Sequence, residues 1–63
     1  MKRKDLIKTL KQIARDHGVD YREQEGARHT KVWVGSKQTV VPRHNEVNER
    51  TAQGIIDHLK GNK

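Results

Sequence analysis

The 63-residue chain contains no cysteine. No disulfide can staple the fold and no thiolate can hold a metal. At this length one core sits near the lower limit of what holds a fold without such help, so a single domain over 1–63 is expected. No apolar run approaches the roughly 20 residues of a membrane-spanning helix. The opening Met1-Lys2-Arg3-Lys4 leads into amphipathic sequence and not into an apolar signal core, so a cytoplasmic protein without membrane contact is expected. Proline occurs once, at Pro42, and tryptophan once, at Trp33. A further absence is local: from Gly26 to His44 there is no acidic residue, although Arg28, Lys31, Lys37 and Arg43 all fall there.

What is abundant is positive charge. Fourteen Lys and Arg stand against eight Asp and Glu, giving a net charge of +6. A surplus of this size on a small body sets up a positive field that favours phosphate-rich partners. The charge is also segregated. Lys2, Arg3, Lys4, Lys8, Lys11 and Arg15 stand against Asp5 near the start, while all eight acids lie outside Gly26–His44. Nucleic acid is the favoured partner, and an acidic protein would want the same surface.

Apolar spacing locates two helices. Leu6, Ile7, Leu10, Ile13 and Ala14 repeat at helical intervals, and Gly18 follows as a stop, so a helix from about Lys4 to His17 is expected. Ala52, Ile55, Ile56 and Leu59 repeat the pattern, with Asn48 as N-cap, Glu49 at the positive end of the dipole and Gly61 as the stop. Gly54 inside this helix costs about 1 kcal/mol relative to alanine. The last two or three residues are expected to fray.

Between the helices lie three strand-like segments, Val19–Gln24, His29–Val34 and Gln38–Val41. Gly26-Ala27 and Gly35-Ser36-Lys37 separate them at hairpin lengths, and Pro42 ends the third. The expected fold is α+β: an α-β-β-β-α chain with a three-stranded antiparallel sheet. Each helix has one apolar stripe and the chain has one core, so both helices belong on one face of the sheet.

Alternation along the second strand sorts the candidates. Thr30, Val32 and Val34 share one face; His29, Lys31 and Trp33 share the other. With the valines inward, His29, Lys31 and Trp33 form a basic and aromatic platform on which a base could stack. A lone tryptophan is often core filler, and an inward Trp33 would reverse the parity; burial of Lys31 argues against that.

Four histidines compete for a chemical role. His17 suits the negative end of the first helix dipole. His58 lies beside the apolar positions of the second helix, solvated or packed. His44 follows Pro42-Arg43 and is placed to contact a phosphate or simply to join β-segment and helix. His29 follows a glycine turn, beside Arg28 and on the face of Lys31. No pair has the spacing and nearby carboxylate of a metal site, so no metal and no cofactor is expected. One histidine without metal can still move protons. RNA carries its own nucleophile, the 2′-hydroxyl, and an imidazole with an unperturbed pKa of about 6.5 can take that proton or give one to the leaving 5′-oxygen. Nearby cations would stabilise the developing phosphate charge. DNA lacks the nucleophile. On composition alone a non-enzymatic RNA-binding module is at least as well supported.

Gly26-x-x-His29-x-Lys31, the glycine turn, Val-Val-Pro42-Arg43-His44 and the final amphipathic helix resemble the HicA mRNA interferase family, the toxins of HicA–HicB toxin–antitoxin pairs. The resemblance covers nearly the whole chain. It implies a double-stranded-RNA-binding-domain-like fold and metal-independent cleavage of mRNA, with His29 as the catalytic residue. It also implies a HicB-like antitoxin partner that covers His29. Arg28, Lys31 and Arg43 are then the expected phosphate contacts, Trp33 a base contact, and Lys37 and His44 weaker contributors. Many members of the family have serine where Ala27 stands, and here Arg28 would supply phosphate contact instead.

Overall fold

The computed structural model describes residues 1–61. The chain runs α1 (Arg3–His17), β1 (Tyr21–Glu25), β2 (His29–Val34), β3 (Lys37–Pro42) and α2 (Glu49–Lys60). The strands form an antiparallel meander in the order β1-β2-β3. The expected α-β-β-β-α fold is present. Fraying at residues 62 and 63 lies outside the described residues.

One core holds these elements. Leu6, Leu10, Ile13 and Ala14 of α1 and Ala52, Ile55, Ile56 and Leu59 of α2 pack with Val32, Val34 and Val41 of the sheet, and Val47 closes the end. Those sheet residues share a face through the register, in which Thr30 pairs with Val41 and Val34 with Lys37. Both helices therefore cover one face and leave the other open. Full burial of a leucine or valine side chain contributes about 1.5–3 kcal/mol. Leu6, Leu10, Val32 and Val41, each with 0% exposure, contribute at this full level.

Helix ends follow local chemistry. Gly18 and Gly61 adopt left-handed conformations that let the chain leave each helix. The Asn48 side chain accepts the Arg50 N–H at 2.8 Å, as an N-cap does. Lys2 caps α1 through its backbone alone, accepting from the N–H groups of Asp5 and Leu6. The first residues also pair with the segment before α2: Val47 N–H donates to Met1 O, and Arg3 N–H to Asn45 O.

Both limits of β1 and of β3 differ by one or two residues from expectation, with β1 ending at Glu25 and β3 at Pro42. β1 begins at Tyr21 and not at Val19, because the chain is still closing α1: Val19 N–H donates to Ala14 O. β3 begins at Lys37, because the hairpin needs only Gly35 and Ser36. Pro42 is the last residue of β3, an edge strand, where its missing N–H costs no ladder bond. An added Cβ at Gly54 would meet nothing within 4 Å, so that glycine serves no close approach. No helix among the described residues is long and apolar enough to cross a membrane.

Candidate nucleic-acid interface

β2 lies between two strands, so Lys31 and Trp33 on its open face have neighbours on both sides, and His29 has one on β3. Trp33 stands between Arg22 and Gln38, Lys31 between Gln24 and Val40, and His29 opposite Pro42. His29 and Lys31 are exposed and Trp33 is half-buried, while Thr30, Val32 and Val34 are buried. The parity that sends the valines inward is the one observed. Reversal would have put Lys31 in the core, where a lone ammonium is prohibitive.

Arg22 joins this face through strand pairing and not through any local pattern of its own. Its guanidinium carbon lies 5.2 Å from the Trp33 ring centroid, a cation–π distance. The signal is in the pairing: with a short turn after Glu25, counting back along β1 sets Arg22 across from Trp33. No strand position on the open face is acidic. His29 and Trp33 are four residues apart on one strand, about 13 Å, a span suited to more than one nucleotide.

At the end of this face the β1–β2 turn shapes a groove of about 310 Å³, bounded by Gln24, Glu25, Gly26, Ala27, Arg28, His29, Lys31 and Val40. Gly26 N–H donates to His29 O at 2.8 Å. A Cβ on Gly26 would lie 2.8 Å from that same oxygen. Glycine is needed here for close approach and not for a left-handed backbone, since its φ is not positive. Arg28 is exposed at the tip, beside His29.

Behind the turn is a polar network. Thr30, with 0% exposure, donates its hydroxyl proton to Glu25 Oε1 at 2.9 Å and accepts from Arg3 Nη2. Arg3 Nε donates to Pro42 O at 3.1 Å. Arg43 Nη1 donates to Gly26 O at 2.7 Å, and its Nε lies 3.5 Å from Glu25 Oε1. Arg43, expected to hold phosphate, thus already has two of its nitrogens engaged within the protein. Glu25 stands at the groove despite its place just outside the acid-free segment. Arg3 and Thr30 are 27 residues apart, so nothing local in the sequence announces their contact.

The remaining expected residues scatter. Lys37 pairs with Val34 and so belongs to the helix-covered side; a Cβ on Gly61 would lie 2.7 Å from its Nζ. The sequence pattern puts Lys37 in the Gly35-Ser36-Lys37 turn; the turn has only two residues, which makes Lys37 a strand residue and sets its parity. His44 is exposed in the loop between β3 and α2 and does not line the groove. His58 Nε2 lies 3.0 Å from Gln38 O, tying α2 to β3. His17 is the last residue of α1, exposed. Among the described residues no group of three His, Asp or Glu side chains is arranged to hold a metal. Burial first, then the Glu23 charge, pushes the Tyr21 phenol up to about 12, so it stays protonated at neutral pH and donates to Glu23 Oε2 at 3.4 Å.

No protein-family model, curated protein or solved structure matches this chain.

Proposed function

We propose that this protein is a metal-independent endoribonuclease of the HicA type, the cytoplasmic toxin of a toxin–antitoxin pair, acting on mRNA. In this reading the α-β-β-β-α chain is a double-stranded-RNA-binding-domain-like fold. The observation that carries it is the open face of β2, where exposed His29 and Lys31 and half-buried Trp33 stand in line with no acidic strand position beside them.

The chemistry follows from what that face offers. RNA lies across the open strands with a base against Trp33 and Arg22. A phosphate reaches the turn, where Lys31 and Arg28 offset its charge. His29 then moves the proton, taking it from the 2′-hydroxyl or giving it to the 5′-oxygen; the 2′-oxygen bonds to phosphorus as the bond to the 5′-oxygen breaks. A HicB-like antitoxin covering His29 would silence the enzyme. DNA, without the 2′-hydroxyl, is not a substrate.

The purified protein should cut RNA in the presence of EDTA. His29→Ala should keep the fold, since an exposed side chain is removed, and lower the cleavage rate by about 10²–10⁴-fold. Equal cleavage by the alanine variant would remove His29 from the chemistry. A second reading, an RNA-binding module without activity, is favoured by the Arg22–Trp33 pair, which binding uses and bond cleavage does not need. RNA that is bound but left intact would select it.

A further inference from the structure

We infer that Glu25, Arg43 and Arg3 are positioning residues for His29 and are not part of the RNA contact. The inference rests on His29 as the proton-transfer group, and it gives the acid beside the groove a task.

His29 is anchored on three sides. Before it, Gly26 N–H bonds to His29 O at 2.8 Å while Gly26 O receives Arg43 Nη1 at 2.7 Å. After it, buried Thr30 has its hydroxyl held between Glu25 and Arg3. Across from it, Pro42, its partner on β3, has its carbonyl held by Arg3 Nε at 3.1 Å. Glu25 joins these anchors, because its carboxylate lies 3.5 Å from Arg43 Nε and 3.8 Å from Arg3 Nη2.

An exposed imidazole takes its placement from its backbone, and a group that moves a proton must be held within about 0.5 Å of its working position. A hairpin turn alone does not give that precision. Here α1, β1 and the segment after β3 each contribute a side chain to it. The charge pattern agrees. A carboxylate next to a groove for a polyanion weakens attraction, so a surface built for affinity alone would omit it. Glu25 instead draws two guanidinium groups inward, onto backbone carbonyls, where they fix the turn.

Binding and cleavage should therefore respond to Glu25→Gln in opposite directions. Affinity is read with 2′-O-methyl RNA, which lacks the free hydroxyl and cannot be cut; cleavage is read by single-turnover assay; turn mobility is read by amide exchange at Ala27–His29. Glu25→Gln should bind as tightly as the parent or more tightly, cut about tenfold more slowly, and exchange faster at the turn. Arg43→Ala, which releases the turn from the other side, should slow cleavage and speed exchange likewise, with affinity falling less than twofold. Parallel loss of affinity and cleavage in Arg43→Ala would make it a phosphate ligand and overturn the inference. So would unchanged exchange in both variants. If the parent protein binds RNA without cutting it, the endoribonuclease reading fails, and the exchange measurement still decides whether the network holds the turn.

Discussion

The two turns of the meander are built on different principles. Gly35-Ser36 joins β2 to β3 by backbone means: Gly35 has φ +62, the left-handed value that lets two residues reverse the chain, and its N–H bonds to Asp20 O. Gly26–Arg28 joins β1 to β2 with no positive φ, held close by one backbone bond and propped from behind by Arg43, Glu25 and Arg3. The first turn only has to reverse the chain. The second carries His29, which the proposed function makes the proton-transfer group, and side chains from distant parts of the sequence contact it.

Exchanging each glycine for alanine tests this contrast most strongly. In Gly26→Ala the new Cβ meets His29 O, so the backbone carrying the imidazole must shift; cleavage should fall about 100-fold if the shift approaches 1 Å. Gly35→Ala imposes left-handed strain of about 1–2 kcal/mol, lowering the melting temperature, while the folded fraction should keep its cleavage rate. Equal loss of activity in both would erase the distinction. Along the same strand, Trp33→Ala should cost about 1–3 kcal/mol of RNA affinity if a base stacks there. Lys37→Ala, at the other turn but on the helix side, should cost far less in the same titration. Gly54→Ala is the case with no such constraint: it should raise stability by about 1 kcal/mol, read as a higher denaturation midpoint. The smallest effect concerns Tyr21. The lone tyrosine should ionise near 12 and not at 10.0 in an ultraviolet titration of the folded protein. The folded state holds that proton more tightly, so the contribution is intact below pH 10.0 and is lost as pH rises towards 12. A midpoint at 10.0 would show the ring to be solvated.

The elements were legible because their periods are unmixed. Leu6, Leu10 and Ile13 can form one face only as a helix, and Thr30, Val32 and Val34 only as a strand. The outward face of β2 was legible for the same reason, with Lys31 guarding the parity. The residues brought in by pairing were not. Arg22 reaches Trp33 through register, and Lys37 joins β3 on the helix-covered side because the turn is one residue shorter than its glycine-serine-lysine run suggests. The Arg3–Thr30–Glu25 contacts unite three elements, and no spacing rule reaches that far. Local pattern names the face; only the fold supplies what stands behind it.

The outer strands also determine how far the sheet can grow. β1 presents Arg22, Glu23, Gln24 and Glu25 in succession, a run of mixed charge that a passing strand would have to match residue for residue. β3 has a lysine at one end and, at the other, a proline with no N–H to offer. Charged and proline-bearing borders of this kind discourage strand addition from other molecules. The sheet thus keeps one face open while both of its edges oppose the edge-to-edge stacking that leads to fibres.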